Sequence, residues 1–181
     1  MLGFLLELVR PVFEWVDSFP SSLAWRESLN GYVYLLTAHV VSMGLVAGII
    51  GYWDMRLAGM ALRWLPVSKV KSGLFPYLYV GVVVNAGTGL MMVYSQPMRY
   101  YPNFWFWFKM AMLVILAVNA AYFHLRIEKT VEQWENDPVA PAKARMAGYL
   151  SLAFWVGVIV TGRLTAYSGL VPQWWLDLGL G

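Results

Sequence analysis

Residues 104 to 127, FWFWFKMAMLVILAVNAAYFHLRI, form an apolar stretch long enough to cross a bilayer, since about 20 apolar residues in a helix span a hydrocarbon core of about 30 Å. The stretch nevertheless holds Lys109 near one end and His124 near the other. An ionisable side chain inside a membrane helix costs about 2.5–3.5 kcal/mol on insertion scales, so it usually faces the protein interior and is paired or functional. At about 100° per residue the two side chains lie about 60° apart around the helix. We therefore expect other helices to cover the face that carries them.

The composition supports a membrane protein. Of 181 residues, 60% are hydrophobic and 13% are charged, whereas soluble domains average about 45–50% apolar and about 25% charged. The absence of cysteine excludes disulfides, zinc knuckles and a thiol nucleophile. The net charge of +3 comes from basic residues that flank apolar stretches, which is typical of membrane orientation and argues against a nucleic-acid partner.

The apolar stretches predict an all-α integral membrane four-helix bundle, with helices at about 21–53, 73–95, 104–127 and 144–167. Three parts follow: an interfacial amphipathic helix (1–20), the bundle (21–170) and an interfacial C-terminal tail (171–181). Ser21 or Ser22 is a plausible N-cap for the first helix of the bundle. Gly44 and Gly48 have the spacing of a close-packing face, a motif that is weak evidence of dimerisation by itself.

The first 17 residues combine apolar positions at helical spacing with charges on the opposite side, and Pro11 disturbs the middle. This pattern predicts a helix lying in the membrane interface, and docking of its apolar face on the bundle or a partner subunit is an equal alternative. The apolar positions are Leu2, Leu5, Leu6, Val9, Phe13 and Val16. Trp174 and Trp175 predict a second interfacial anchor in the tail.

The distribution of Lys and Arg predicts the orientation. The connection between the first two bundle helices and the connection between the last two each hold four, whereas the opposite side of the membrane holds three. By the positive-inside rule both connections lie in the cytoplasm and both termini lie outside. We expect a multi-pass protein of the bacterial inner membrane.

Several polar side chains share one level in the outer half of the predicted bundle. Counted from the last Lys or Arg at the cytoplasmic rim, each lies about 17 or 18 residues in, or about 26 Å at ~1.5 Å per residue. They are His39, Thr88, Lys109 and Arg163. The same count puts His124 near the rim, about 22 Å from His39, so one haem iron cannot take axial bonds from both histidines.

The level of Lys109 and Arg163 predicts an anion site, because no Asp or Glu falls inside the predicted spans and buried cations need an anion. Haem propionates, a quinone oxygen or a lipid phosphate would serve. Alternatively both cations extend to the outer interface, His39 bonds a neighbouring carbonyl or Ser42, and His124 is an interfacial residue rather than an iron ligand.

Short motifs carry a resemblance to a known group of proteins. They are T-A-H39, D54-M-R56-L, F-K109-M, F-H124 and T-G-R163. The chain resembles an uncharacterised family of small bacterial four-helix membrane proteins and, more distantly, the HemJ-type protoporphyrinogen oxidases and the membrane part of CopD-like proteins. The latter resemblance implies that His39 and Lys109 are haem- or porphyrin-site residues.

Three functions are therefore open. The first is a b-type haem protein that transfers electrons in the membrane, with quinone or another membrane redox protein as partner, His39 as axial ligand, and Met43, Met92 or Lys109 as the sixth ligand. The second is a non-catalytic subunit or anchor of a larger complex or oligomer. The third is HemJ-like porphyrin oxidation.

Overall fold

The chain is helical, without strands, throughout the part that the computed structural model describes, which is residues 2–28, 30–167 and 170–178. In chain order the helices are α1 (Leu2–Asp17), α2 (Pro20–Glu27), α3 (Gly31–Ala58), α4 (Val67–Ser95), α5 (Pro97–Tyr100), α6 (Phe104–Tyr122), α7 (Ala142–Leu164) and α8 (Gln173–Leu176). A π-helical turn (Phe123–Ile127) and a 3-10 segment (Glu128–Gln133) continue α6. Helices α3, α4, α7 and α6 with its continuation are each long and apolar enough to cross a membrane. The predicted all-α membrane bundle is confirmed, and the chain is a multi-pass membrane protein.

The four long helices pack in the order α4–α3–α7–α6. Each helix lies against the next in this order, but within the described residues α4 and α6 barely contact each other. We call the end of the bundle with the α3–α4 and α6–α7 connections the connection end. The opposite end, where α1, α2, α5 and α8 lie, is the terminal end. The bundle is therefore closed on three sides and weakly packed on the fourth.

An aromatic cluster fills the connection end. Trp53 of α3 is buried and packs edge-on against Phe75 of α4, with ring centroids 5.0 Å apart, and against Phe123 after α6, at 5.8 Å. Because lipid tails are as apolar as these rings, close packing rather than exclusion from water holds membrane helices together. The cluster joins helices α3, α4 and α6 at this end.

Arg56 of α3 ties the two connections together from inside the protein. Its side chain is fully buried, its Nε donates to the Leu65 carbonyl at 2.9 Å, and its Nη2 donates to the carbonyls of Glu135 (3.3 Å) and Asp137 (3.0 Å). Hydrogen bonds from a charged group to backbone oxygens are stronger than neutral ones. Arg56 is therefore a structural part of the D-M-R motif, and not an exposed residue at the membrane rim.

The predicted bounds of the first bundle helix, residues 21–53, are wrong at both ends. Its start is broken between α2 and α3, where the Ser28 hydroxyl accepts a hydrogen bond from the Gly31 amide at 3.1 Å. Its end lies at Ala58 rather than residue 53, because Gly59 adopts a left-handed conformation with φ of 73° that stops the helix. The charged residues after Trp53 made this last helical turn resemble a loop.

The predicted N-cap is also wrong. Helix α2 begins at Pro20, and the Ser22 hydroxyl donates instead to the Tyr94 carbonyl at 2.8 Å. Ser21 contacts the Tyr94 hydroxyl. The two serines thus attach α2 to the end of α4, a partner far away in the sequence.

The other three predicted helices are present, but the ends of two of them are shifted. Helix α4 starts at Val67, earlier than residue 73, because Pro66 precedes its first turn. The α-helical and π-helical segments from Phe104 to Ile127 together match the predicted third span. Helix α7 runs from Ala142 to Leu164 rather than from 144 to 167, again directly after a proline, Pro141.

Helix α1 docks on the bundle, which was one of the two alternatives predicted for this helix. Leu6 is buried in a cluster with Tyr101 and Trp175, against which Phe13 also packs. Trp175 donates its indole N–H to the Pro102 carbonyl at 2.7 Å, which holds α8 in the same cluster. Trp175 of the predicted anchor therefore packs inside the protein, whereas its neighbour Trp174 is exposed.

The two other predictions about apolar faces concern the interfacial position of α1 and the Gly44–Gly48 motif of α3. The side chains of Leu2 and Leu5 lie outside the described residues. A second apolar stripe of α1 is exposed, so the predicted interfacial position of this helix stays a prediction; the stripe is Phe4, Leu8, Val12 and Trp15. Apart from the backbone of α3 itself, no described atom comes within 4 Å of a side-chain carbon built at Gly44 or Gly48, so their motif packs no helices together within the described residues.

Candidate functional site

His39 belongs to a polar network that joins α3 and α4. Its Nδ1 lies 3.0 Å from the Asn85 carbonyl and 3.1 Å from the Thr88 hydroxyl. The Asn85 amide donates to the His39 carbonyl at 2.9 Å and to the Ser42 hydroxyl at 3.2 Å. The half-buried ring also lies against Gly89, where an added side-chain carbon would be 3.0 Å from Cε1. His39 and Thr88, which residue counting placed at one level, are in direct contact. The hydrogen bond between His39 and a neighbouring carbonyl, which was the alternative to iron binding, is also present.

The proposed sixth ligands are not part of this network. Met92 is buried between Tyr100 and Phe106, where it packs as an apolar side chain at the terminal end. Met43 lies on α3 one turn after His39 and is half-buried. Neither makes a described hydrogen bond to the His39 group.

Lys109 and Arg163 lie on the neighbouring helices α6 and α7 but turn to different surroundings. The Lys109 side chain runs along Gly162, with Nζ 3.8 Å from a side-chain carbon built there. Arg163 is exposed and donates to the Tyr167 hydroxyl at 3.0 Å, with its guanidinium 5.3 Å from the centre of that ring. Neither cation forms an ion pair within the described part of the chain. Their joint anion site stays a prediction.

His124 lies in a charged cluster at the connection end. Its Nδ1 contacts one carboxylate oxygen of Glu128, and the other oxygen pairs with Lys71 of α4. The Phe75 ring lies beside this cluster, 5.3 Å from the Lys71 ammonium and 6.3 Å from the His124 ring. No role was predicted for Glu128. The spacing of four residues between His124 and Glu128, which places two side chains on one helical face, is the sequence signal for this contact.

A cavity of about 450 Å³ lies between the helices in the half of the bundle near the connection end. Its walls are mostly apolar and include the rings of Trp53, Phe75, Phe123 and Trp155. All four long helices or their continuations contribute polar side chains to the lining; these are Asp54, Asn85, Asn119, His124 and Ser151. A largely apolar cavity with a few convergent polar groups is the usual form of a small-molecule site.

Asp54 is the most unusual of these polar groups. Its side chain belongs to a residue only 3% exposed, and within the described residues its Oδ2 has no hydrogen-bond partner. Ser151 of α7 is also buried and lines the same cavity. The expectation that no acidic residue lies inside a span is wrong, because α3 continues past Trp53 and carries Asp54 into the packed bundle.

The surroundings of His39 meet only part of the requirement for a haem ligand. A metal-binding histidine usually donates its second ring N–H to a carbonyl or carboxylate, and the Asn85 carbonyl is placed to accept from Nδ1, which leaves Nε2 for iron. The cavity, however, reaches Asn85 and is lined by neither His39, Lys109 nor Arg163. This cavity and the predicted iron ligand are thus adjacent but separate.

The fold and the site define a four-helix membrane protein with a largely apolar cavity that carries a few polar side chains. The chain belongs to a protein family described as "Family of unknown function (DUF6644)", which it matches over residues 12–168. No curated protein and no solved structure matches the chain. These comparisons support the uncharacterised family and give no support to the resemblance to HemJ-type oxidases or CopD-like proteins.

Proposed function

We propose that this protein binds a lipid-soluble small molecule with hydrogen-bonding oxygens, of the quinone and quinol class, in the cavity beside Asp54. The observation that carries the proposal is the buried Oδ2 of Asp54, which has no partner among the described residues. An unsatisfied buried polar group costs about 1–3 kcal/mol, and a charged group costs more. A ligand that satisfies it would offset that cost.

The chemistry of a carboxyl group suits both forms of such a ligand. A carboxylate accepts a hydrogen bond from a quinol hydroxyl, whereas a protonated carboxyl donates to a quinone carbonyl. Ser151 adds a hydroxyl to the same cavity wall, and the rings of Trp53 and Trp155 offer flat apolar surfaces for a ring-shaped head. An ionisable residue in a membrane helix is by default a candidate functional residue.

Binding of a decyl-substituted ubiquinone to the purified protein in nanodiscs tests the proposal by calorimetry. Asp54→Leu should weaken binding about 10- to 100-fold, which corresponds to the loss of one hydrogen bond to a charged group. Glu132→Gln is the matched control, because Glu132 is an exposed acid at the same end of the bundle. No binding by the wild type, or equal affinity in Asp54→Leu, contradicts the proposal.

Haem b binding at His39, with electron transfer in the membrane, is the second candidate. It is favoured by the hydrogen bond between Nδ1 and the Asn85 carbonyl, which leaves Nε2 available. An absorption spectrum of the purified protein should then show a Soret band with reducible α and β bands, lost in His39→Ala and kept in His124→Ala. A colourless preparation contradicts this candidate. A protein that binds neither haem nor quinone would instead fit a non-catalytic subunit.

A further inference from the structure

The seam between α4 and α6 is closed at its two ends and open in its middle. At the connection end the Lys71–Glu128 ion pair bridges α4 to the continuation of α6. At the terminal end Met92 of α4 and Phe106 of α6 pack in one cluster with Tyr100. Between these bridges the two helices barely contact each other in the described structure, although both line the cavity.

Exposure of the lining residues shows which side of the cavity faces outwards. The lining residues contributed by α3 and α7 include the buried Leu57, Ala147 and Ser151. By contrast, α4 and α6 contribute lining residues that are also exposed on the outer surface, namely Tyr79, Val82, Ala86, Ala117 and Ala120. A side chain that lines a cavity and also faces outwards marks its mouth. The cavity therefore opens between α4 and α6, on a side of the bundle that lies in the hydrocarbon layer.

Three of the residues at this mouth are alanines. Ala86 of α4 faces the seam from one side, and Ala117 and Ala120 of α6 face it from the other. The charged and aromatic bridges at the two ends hold the helices at their separation. The opening is thus bounded at both ends by contacts between the helices, and alanines flank it on both sides.

We infer that the ligand enters the cavity sideways from the bilayer, through this opening, and binds with its polar head towards Asp54 and an apolar tail between α4 and α6. The inference rests on the proposed function and specifies the ligand as a tailed, membrane-dissolved molecule. A tail that leaves through the opening remains in lipid and needs no room in the 450 Å³ of the cavity.

A second route must be distinguished from this one. Another cavity, of about 390 Å³, lies at the connection end beside Lys71 and Glu128 and shares Trp53, Phe75 and Tyr79 with the first. A ligand arriving from water would pass through this second cavity. Ser72 lines only the second cavity and Ala117 only the first, so substitutions at these positions separate the two routes.

Stopped-flow binding of decyl-ubiquinone in nanodiscs tests the route. Ala117→Trp should slow both association and dissociation several-fold, because a narrowed passage raises the barrier in both directions. Val118→Trp is the matched control, since Val118 is the exposed next residue of α6 and does not line the cavity. Ser72→Trp should leave both rates unchanged.

Equal rates in Ala117→Trp and Val118→Trp, or slowing only in Ser72→Trp, would overturn the sideways route while leaving the binding proposal intact. No binding by the wild type would overturn the binding proposal itself. If Ala117→Trp does not fold, Ala117→Cys provides the same test in a chain that has no other cysteine. Its thiol should react with a lipid-soluble maleimide and be protected by decyl-ubiquinone, and unprotected reaction at saturating quinone overturns the route.

Discussion

Gly148 of α7 lies directly against the backbone of Asp54 in α3, so closely that a side-chain carbon built on Gly148 would be 2.8 Å from the Asp54 carbonyl oxygen. The same carbon would lie 3.1 Å from Cβ of Leu57. Because of this close approach, Ser151, one helical turn further along α7, lines the same cavity as Asp54. Because Gly148 has no side chain, α3 and α7 approach closely enough for Asp54 and Ser151 to line one end of the cavity.

Gly148→Ala should destabilise the protein by about 1–3 kcal/mol, as overpacking does when the neighbouring atoms are backbone and cannot move aside. It should also weaken quinone binding, because α7 would carry Ser151 away from Asp54. Thermal unfolding in detergent and the calorimetric titration measure the two effects. Gly48→Ala is the control, since nothing lies within 4 Å of its added methyl group. Equal stability of the two variants would refute the close contact.

Arg56→Lys should lower the free energy of unfolding by about 3 kcal/mol or more. A lysine ammonium cannot reach the three carbonyls that the guanidinium binds, and each hydrogen bond lost to a charged group is worth about 1.5–3 kcal/mol. Arg63→Lys serves as control, because Arg63 is exposed and donates to one carbonyl, that of Pro138. The expected measurement is a lower thermal midpoint for Arg56→Lys alone. Similar midpoints would show that Arg56 does not hold the connections.

Two adjacent tryptophans should differ in their effect on the terminal end. Trp175→Ala removes a buried ring and its bond to Pro102, a change that typically costs about 3–5 kcal/mol in a packed core. Trp174→Ala changes a side chain that is 53% exposed. We expect limited proteolysis to cut α1 and the tail faster in Trp175→Ala only. Equal protection in both variants would mean that the cluster does not hold α1.

The orientation is tested with single cysteines in a chain that has none. The Lys and Arg asymmetry predicts that the connections face the cytoplasm, so a cysteine replacing the exposed Ser68 should react in intact cells only with a membrane-permeant reagent. Ser18→Cys, an exposed position at the terminal end, should react with an impermeant reagent as well. The reverse pattern would invert the predicted topology.

The sequence predicted the transmembrane helices because length and apolar content are local properties. It failed where a distant partner decides the outcome. Asp54 and Arg56 resembled loop residues, yet both are buried inside the fold, where carbonyls of residues 65, 135 and 137 accept hydrogen bonds from Arg56. Gly59 was the local signal that the helix continues to this point.

The candidate site was predicted in one respect and missed in another. Counting residues from the membrane rim brought His39 and Thr88 to one level, where they form a hydrogen bond. The cavity could not be inferred in this way, because it arises from the order in which the helices pack and from the separation of α4 and α6. Neither property is encoded in any one helix.

Chemical identification of what the purified protein carries tests the central claim most directly. Organic extraction followed by mass spectrometry should release a quinone-class molecule in near-equimolar amount from the wild type and from Glu132→Gln. Asp54→Leu, purified in the same way and shown to be folded, should carry much less of it. Phospholipid alone in the wild-type extract, or the same quinone content in Asp54→Leu, would contradict the account.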